Sequence, residues 1–383
     1  MDKLSLGVVA TSSKPNEYRL PIHPLHLNRI DAELRERIHL EAGYGERFGM
    51  SDAELAPMVA GMQPRAEILA ASDIVLLPKP ELVDVASMRA GQVLWGWPHV
   101  VQNEAITDVA IERRLTLIAW EAMNRWTPSG AFAVHVFHMN NELAGYCSVL
   151  HAMTLIGSSG HYGRPLTAVV VGFGNTARGA ITALQAMGIS DITALTMRDV
   201  PAVASPMPAA ALKHLYRTEV DSTGTTVQTL EGRVSAAEFL AGHDLVVNCV
   251  LQDTDAPLMF VTTAELAGFR PGSLIIDVSC DAGMGFEFAQ PTSFTQPTLE
   301  VGNGVVYYGV DHSPSYLWNS ATWVISEALL PYLPTVMAGP AAWDRDRTIR
   351  SAIEIREGVV QNPRLLSFQG RSAQYPHLRV GRS

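Results

Sequence analysis

The chain has 383 residues, of which 47% are hydrophobic and 17% are charged, and its formal net charge at pH 7 is −10. This composition is typical of a globular protein that is long enough to fold as two domains. The excess of acidic side chains argues against nucleic acid or an anionic membrane surface as a partner, because both attract positively charged protein surfaces.

The three cysteines, Cys147, Cys249 and Cys280, lie far apart in the sequence, each within an apolar stretch. This spacing favours buried thiols over a disulfide framework or a zinc site, so no metal is predicted. The first residues lack the apolar core of a signal peptide, and no run of eighteen uncharged apolar residues occurs. We therefore expect a cytoplasmic protein.

Short apolar segments alternate with helical or turn-forming segments along the first 120 residues. Such alternation predicts a sheet of parallel strands with helices packed on it. Residues 24–37 and 140–157 are predicted to be helical, and Ser51 and Glu54 have the spacing of a capping box. The predicted strands cover residues 4–9, 38–40, 73–77, 92–96 and 115–120.

A second alternating series begins at Leu166, and a further long helix is predicted over residues 314–333. Residues 340–383 resemble neither series. The helical pattern of residues 345–356 and the Gly/Ser/Arg-rich end predict a terminal helix followed by a partly mobile tail. The predicted strands of the second series lie near residues 166–171, 192–195, 245–250, 273–277 and 305–310.

The most informative motif lies where the first strand of this second series ends. Residues 167–180 read TAVVVGFGNTARGA, which is an apolar strand followed by a turn and the small-residue start of a helix. Gly172 permits a tight turn, Gly174 lets the backbone approach a pyrophosphate, and Ala177 allows the helix to pack closely on its strand. The N-terminus of the helix would face the phosphates. The motif predicts a dinucleotide site, although small residues also serve plain helix–strand packing.

We predict an α/β fold with two Rossmann-like domains and a cleft between them. Residues 1–140 and 311–383 would form a discontinuous substrate domain, and residues 141–310 would form an NAD(P)-binding Rossmann domain inserted into it. A cleft between such domains is the usual location of hydride transfer.

Five spaced motifs resemble those of the alanine dehydrogenase clan. That clan also includes the nucleotide-binding subunit of transhydrogenase, lysine-forming saccharopine dehydrogenase and N5-(carboxyethyl)ornithine synthase. The resemblance covers about residues 4–335 and is closest in character to N5-(carboxyethyl)ornithine synthase, which the GWPH, AGY, DAG and PS elements suit. The motifs are KPNEYRL at 14–20, DIVLLPKPE at 73–81, GQVLWGWPH at 91–99, NELAGY at 141–146 and GSLIIDVSCDAG at 272–283.

Arg19 and Lys79 are the predicted ligands of the carboxylate and the carbonyl oxygen of a substrate. Arg19 follows the first strand in a polar loop, where a guanidinium can bind a carboxylate with two hydrogen bonds. Lys79 lies between two prolines just beyond a buried strand, so a stiff backbone would aim its ammonium at the strand edge where ligands bind. A surface arginine and a generic loop lysine are the alternatives.

His99, Glu121 and Asp281 also follow predicted strands. His99 is the predicted acid/base, because an imidazole can pass the proton that is exchanged as an amine and a carbonyl interconvert through an imine. Glu121 would pair with Lys79, bind a second amino group or cap a turn. Asp281 would orient the substrate amine or the nicotinamide ribose, or else cap a turn.

In alanine dehydrogenases the second strand of the cofactor domain ends in an acidic residue that binds the adenosine ribose. Here that position is Thr196, and Arg198 follows two residues later. A hydroxyl and a guanidinium suit a 2′-phosphate, so NADP(H) is the preferred cofactor, while Asp199 keeps NAD(H) possible. The complete predicted cofactor site is Asn141, Gly172, Gly174, Asn175, Thr176, Ala177, Thr196 and Arg198.

A second departure from alanine dehydrogenases lies at Asp311 and His312. Alanine dehydrogenases and carboxyethylornithine synthases tend to carry Asn at the position of His312, whereas saccharopine dehydrogenases carry an Asp-His pair. The resemblance therefore implies a bulkier amino-acid partner with His312 near the nicotinamide. A histidine that caps the following helix is the competing interpretation.

The resemblance implies an NAD(P)-dependent oxidoreductase that acts on a CH–NH bond. The preferred reaction is the reductive condensation of a 2-oxo acid such as pyruvate with an amino-acid amine. The alternatives are an alanine dehydrogenase that uses ammonia and a nucleotide-binding protein without turnover. The expected partners are small-molecule substrates, and a homo-oligomer is expected because relatives of this kind assemble.

Overall fold

The computed structural model describes residues 3–198, 207, 210–218 and 224–380. The chain divides into two compact units. The first unit contains residues 1–138 and 318–383, and the second contains residues 139–317. Each unit is built on a largely parallel sheet with helices, which confirms the predicted α/β class with one unit inserted in the other. None of the described helices is long and apolar enough to span a membrane.

The first unit has an eight-stranded sheet among the described residues. Its N-terminal part supplies six parallel strands, and their mainly apolar side chains are largely buried, as expected when both faces of a sheet are covered. These strands are β1 (Leu6–Val8), β2 (Ile38–Glu41), β3 (Gly61–Gln63), β4 (Ile74–Leu76), β5 (Val93–Gly96) and β6 (Thr116–Ala119). Their order in the sheet is β6-β5-β4-β1-β2-β3. A hairpin follows, formed by β7 (Asn124–Trp126) and β8 (Phe132–His135).

Short helices connect these strands. The helix predicted over residues 24–37 is interrupted: Pro24–Arg29 forms a 3-10 helix, and the extended backbone of Ile30 ends it before the next helix begins. The predicted capping box is present, because Glu54 Oε2 accepts from the Ser51 backbone N–H at 2.7 Å and the Ser51 side chain accepts from the Glu54 backbone N–H. The helices are α1 (Ala32–Arg35), α2 (Asp52–Leu55), α3 (Arg65–Ala71), α4 (Leu82–Ala86) and α5 (Glu104–Glu112).

The second unit contains α6 (His138–Leu155), whose first residue still belongs to the first unit, and a nine-stranded sheet among its described residues. The five predicted strands occur in this sheet, and its other four strands are additions that the sequence pattern did not predict. The strands of the unit are β9 (Thr167–Val171), β10 (Asp191–Thr196), β11 (Ala210–Arg217), β12 (Thr225–Thr229), β13 (Gly232–Ser235), β14 (Leu245–Asn248), β15 (Met259–Val261), β16 (Leu274–Asp277), β17 (Gly285–Phe286), β18 (Thr298–Val301) and β19 (Val305–Tyr308). The order in the large sheet is β13-β12-β11-β10-β9-β14-β16-β19-β18, in which β12, β13 and β18 are antiparallel to their neighbours. The remaining helices are α7 (Asn175–Ala186) and α8 (Ala236–Ala241).

Two glycines let α6 and α7 touch backbone to backbone. A Cβ added at Gly145 would lie 1.9 Å from the carbonyl oxygen of Thr176, and one added at Gly179 would lie 1.8 Å from that of Glu142. Only glycine permits so close an approach. The contact fixes the start of α7 against α6 and so fixes the turn that precedes α7.

The C-terminal segment returns to the first unit, and it corrects one prediction. Residues 345–356 are not one helix, because the helix ends at Ala352 and Ile353–Arg356 forms a strand antiparallel to β6. The alternation of Ile353 and Ile355, both buried, fits a strand better than a helix. The predicted helix over 314–333 is also divided, with a 3-10 turn at Ser313–Leu317. The segment contains α9 (Trp318–Leu329), α10 (Leu333–Met337), α11 (Pro340–Trp343), α12 (Arg347–Ala352), β20 (Ile353–Arg356), β21 (Val359–Val360) and α13 (Pro363–Gln369).

The residues after β21 pack on the first unit instead of forming the expected mobile tail. Gln369 Nε2 donates to the carbonyl oxygen of Val100 at 2.7 Å. Further along, Arg379 Nη2 lies 2.7 Å from Asp108 Oδ2. These contacts hold the segment as far as the described residues extend.

Candidate functional site

Lys79, His99 and Glu121 lie at one edge of the first unit's sheet. They follow β4, β5 and β6, which are neighbouring parallel strands, so their positions converge where the strands end. The segments after β4 and β5 are joined directly, because the Trp97 backbone N–H donates to the carbonyl oxygen of Pro78 at 2.9 Å. The three residues therefore lie at the same edge of the sheet.

His99 is tied to Glu121 through its backbone. The His99 N–H donates to Glu121 Oε1 at 2.8 Å, and His99 Nδ1 lies 3.9 Å from the same oxygen. The φ angle of His99 is +46°, a left-handed conformation that is unusual for a histidine. Its imidazole is 44% exposed, so the ring is accessible for proton exchange while its backbone is fixed.

The carboxyl group of Glu121 is partly enclosed by the protein. Its side chain is 29% exposed overall, yet Oε2 is fully enclosed and has no hydrogen-bond partner among the described residues. Burial raises the pKa of Glu121 to about 8, and the nearby carboxyl of Glu354 also raises it, while the charge of Lys79 lowers it. A carboxyl with this pKa is largely protonated at neutral pH, so it can exchange a proton with a bound amine.

Arg19 is buried and already has an anionic partner. The residue is 4% exposed, and its Nε donates to Glu17 Oε1 at 2.8 Å while its Nη2 contacts Glu17 Oε2. The indole ring of Trp97 covers the guanidinium, with 5.1 Å between Cζ and the ring centroid. Glu17 thus occupies the Nε–Nη2 edge, and binding of a substrate carboxylate through Arg19 stays a prediction.

The glycine turn of the second unit leaves open space beside Gly174. Gly172 has a φ of +106°, which side chains rarely adopt, and a Cβ at Gly174 would meet nothing within 4 Å. Ala177 is fully buried against the sheet, and no described side chain caps the N-terminus of α7. Uncapped helix amides beside an open glycine suit a bound pyrophosphate, so these residues fit the cofactor.

Arg198 lies beside this turn. Its backbone N–H donates to Thr196 Oγ1 at 3.2 Å, and its Nη2 donates to the carbonyl oxygen of Phe173 at 3.1 Å. The side chain of Thr196 is buried and that of Arg198 is exposed. The predicted hydroxyl and guanidinium are therefore close to the turn, while Asp199 lies outside the described residues.

Asp281 and His312 belong to the second unit. Asp281 is part of a turn after β16, where its carbonyl oxygen accepts from Met284 N–H at 3.0 Å. Four residues earlier, at the end of β16, Asp277 is fully buried, and burial raises its pKa to about 6. His312 is buried, with 2.7 Å between Nδ1 and Asp311 Oδ1. The predicted roles of Asp281 and His312 stay predictions, as does that of Asn141 on α6.

Two sets of the predicted residues are brought together, one within each unit. Lys79, His99 and Glu121 share an edge in the first unit, and the glycine turn, Thr196 and Arg198 share an edge in the second. Sequence reasoning assigned no role to Glu17, Trp97 or Glu354. For Glu17 and Trp97 a signal existed, because each lies two residues before a predicted site residue, whereas Glu354 lies in a segment taken for a helix.

Known proteins and family models match this sequence along almost the whole chain. Family models described as the N-terminal and the C-terminal domain of alanine dehydrogenase/PNT match residues 7–144 and 144–363. An alanine dehydrogenase of Mycobacterium tuberculosis is 26% identical over 94% of this chain and 96% of its own length. An N(5)-(carboxyethyl)ornithine synthase of Clostridium botulinum is 25% identical over 82% of this chain and 89% of its own length.

Solved structures show the same fold. An L-alanine dehydrogenase matches with a TM-score of 0.72 and 20% identity, covering 95% of this chain and 99% of its own. A transhydrogenase from Sinorhizobium meliloti matches with a TM-score of 0.66 and 21% identity, covering 94% and 99%. The chain belongs to the alanine dehydrogenase/PNT family, which confirms the predicted class of enzyme, an oxidoreductase that uses a nicotinamide dinucleotide.

Proposed function

We propose that the chain catalyses the NADPH-dependent reductive condensation of a 2-oxo acid, such as pyruvate, with the amino group of an amino acid. The carbonyl and the amine would lose water to give an imine, and the imine carbon would then accept a hydride and its nitrogen a proton. The product is a secondary amine that carries two carboxylates. The relative named N(5)-(carboxyethyl)ornithine synthase supports this reaction class.

The observation that carries the proposal is the enclosed Oε2 of Glu121, which has no hydrogen-bond partner among the described residues. An enclosed carboxyl oxygen without a partner is costly, so a ligand that donates to it is favoured. Lys79 and His99 surround the same carboxyl from the neighbouring strand ends. An amine is the donor that fits a carboxyl beside a proton-exchanging imidazole.

Each residue then has a defined task. The Lys79 ammonium and the Arg19 guanidinium would hold the carbonyl oxygen and the carboxylate of the 2-oxo acid. His99 would give a proton to the departing water at its exposed imidazole, and Glu121 would receive the amine at Oε2. Asp281 would steady the amine. A bound nicotinamide dinucleotide supplies the hydride, and the enclosure of Glu121 limits access of water to the imine.

The choice of NADP(H) rests on Arg198 and Thr196. The exposed guanidinium of Arg198 is held at the glycine turn by its bond to the carbonyl oxygen of Phe173, close to where a 2′-phosphate would lie. Guanidinium groups bind phosphate with strong charge-assisted hydrogen bonds. Residues 141–310 would accordingly be the coenzyme domain and the remainder the substrate domain.

The second candidate is an alanine dehydrogenase-type reaction in which ammonia replaces the amino acid. The coverage of 94% of this chain by a relative named alanine dehydrogenase favours it. The same residues would serve both reactions, since ammonia is the smallest amine that Glu121 can receive.

A panel of amines, assayed with pyruvate and NADPH and followed by mass spectrometry of the products, separates the two candidates. Turnover with ornithine or lysine, yielding a carboxyethyl amino acid, is the expected result. Turnover with ammonia alone, yielding alanine, would show that the second candidate is correct. Homo-oligomer formation stays a prediction, and the mass of the native protein in solution tests it.

A further inference from the structure

We propose that Trp97 is a positioning residue that orients the Arg19 guanidinium toward the carboxylate of the 2-oxo acid, an inference that rests on the substrate role proposed for Arg19. The guanidinium carbon lies 5.1 Å from the centroid of the indole ring. The two residues are 4% and 7% exposed. A cation over an indole face is attracted by the ring quadrupole, and the attraction increases when water is excluded.

Arg19 is held from two directions. Glu17 fixes the guanidinium within its plane, because Glu17 Oε1 accepts from Arg19 Nε at 2.8 Å and from the Arg19 backbone N–H at 3.0 Å. The Trp97 ring covers the guanidinium and so limits its tilt. An arginine held in this way loses little further freedom when it binds a carboxylate, and that preorganisation favours binding.

Trp97 is itself fixed. Its ring packs edge-on against Trp120 with 4.6 Å between centroids, and its centroid lies 5.1 Å from that of Phe137. Its backbone N–H donates to the carbonyl oxygen of Pro78, directly before Lys79. His99 follows two residues later. Trp97 therefore links the three residues that would hold and protonate the 2-oxo acid.

A role in the core alone would be met by any large apolar side chain, whereas orientation of a cation requires an aromatic face. Trp97→Leu keeps apolar bulk without the face, and Trp97→Phe keeps a weaker face. Trp95 is the matched control, because it lies two residues earlier in β5 and is fully buried in the same apolar cluster.

Pyruvate binding to the full chain saturated with NADPH, measured by calorimetry, tests the inference without turnover. We expect Trp97→Leu to raise the Kd of pyruvate about tenfold and Trp97→Phe about threefold. Trp95→Leu should lower the melting temperature but leave this Kd within about twofold. In an Arg19→Gln background, Trp97→Leu should add no further loss, because the cation that it orients is gone.

The inference is wrong if the two losses add, or if Trp95→Leu weakens pyruvate binding as much as Trp97→Leu does. It is also wrong if Arg19→Gln leaves the Kd unchanged or if the wild-type protein binds no pyruvate. Should Trp97→Leu fail to fold, Trp97→Phe in the two Arg19 backgrounds supplies the same comparison. Failure of the proposed condensation has a different signature, because the amine panel would then show turnover with ammonia alone. The pyruvate titrations of the Trp97 variants would still test the inference in that case.

Discussion

The two units place different chemistry on the same structural feature, the carboxyl edge of a parallel sheet. In the first unit, three neighbouring strands are followed by ionisable side chains, at Lys79, His99 and Glu121. In the second, β9 is followed by Gly172 and Gly174, which leave backbone and open space where the first unit has charge. A shared architecture therefore says little about chemistry, which depends on the residues at the strand ends.

The two units also differ in how these residues are kept in place. In the first unit, ionisable side chains are held by an opposite charge, as Arg19 is by Glu17, or are enclosed, as the carboxyl of Glu121 is. The second edge is held by close backbone packing, since Gly145 and Gly179 bring α6 and α7 together. We expect substitutions at the first edge to change the chemical step, and substitutions at the second to change coenzyme binding.

Lys79→Met should have the largest effect. Removal of the ammonium proposed to polarise the carbonyl is expected to lower kcat/KM for pyruvate about a thousandfold. NADPH binding, followed by fluorescence titration, should stay within about twofold, because the glycine turn belongs to the other unit. Lys3→Met is the control, since Lys3 forms a surface ion pair with Glu33 at 3.0 Å. A loss of tenfold or less would remove Lys79 from the proposed chemistry.

Gly174→Ala tests the second edge. The added Cβ meets no protein atom within 4 Å, so the melting temperature should hardly change. The methyl group would occupy the space proposed for the pyrophosphate, and a displaced phosphate is expected to weaken NADPH binding about a hundredfold. Gly268→Ala is the matched control, because its Cβ would also make only ordinary contact. Unchanged NADPH binding in Gly174→Ala would place the coenzyme elsewhere.

The convergence of Lys79, His99 and Glu121 could be predicted because parallel strands end at one edge, so that three residues distant in sequence become neighbours. The glycine turn could be predicted because its spacing reflects steric needs that only small residues meet. Both inferences depend on regular geometry. They required no knowledge of how loops fold.

Other features of the structure do not follow from regular geometry, so the sequence did not predict them. The pairing of Arg19 with Glu17 occurs within a loop, where no periodicity indicates which side chains meet. The strand at Ile353–Arg356 is only four residues long and follows a helix directly, so the helical pattern before it was extended too far. Its burial depends on contact with β6, a partner far away in the sequence. Local pattern contains no information on that contact.

The protonation of Glu121 should be visible in the stability of the first unit. A carboxyl that has a pKa of about 8 when folded and an ordinary pKa when unfolded must lose its proton on unfolding at intermediate pH. The contribution of the protonated Glu121 carboxyl to the free energy of unfolding is therefore fully present at low pH. As the pH rises toward 8, the free energy of unfolding falls by about 2 kcal/mol, after allowance for the partial exposure of the side chain. Glu121→Gln mimics the protonated form and should remove this decline.

Urea unfolding at pH 5, 6.5 and 8 measures the effect. Tryptophan fluorescence is a suitable probe, because all seven tryptophans lie in the first unit. Glu357→Gln, at an exposed position of the same unit, is the control and should retain the wild-type decline. Parallel pH profiles for the wild-type protein and Glu121→Gln would contradict the raised pKa.

Arg198→Leu should have the smallest effect, on coenzyme choice alone. Loss of the guanidinium would remove the charge-assisted hydrogen bond proposed between Arg198 and the 2′-phosphate, so the Kd of NADPH should rise about tenfold. The Kd of NADH should stay within about twofold, since NADH has no phosphate there. Arg217→Leu removes an equal charge from the same unit at a site where Arg217 Nη2 donates to the carbonyl oxygen of Ala256 at 2.8 Å, and it should change neither Kd. If Arg198→Leu weakened the binding of both coenzymes equally, Arg198 would contact a part of the molecule that they share. If the wild-type protein preferred NADH, this edge would not recognise a 2′-phosphate.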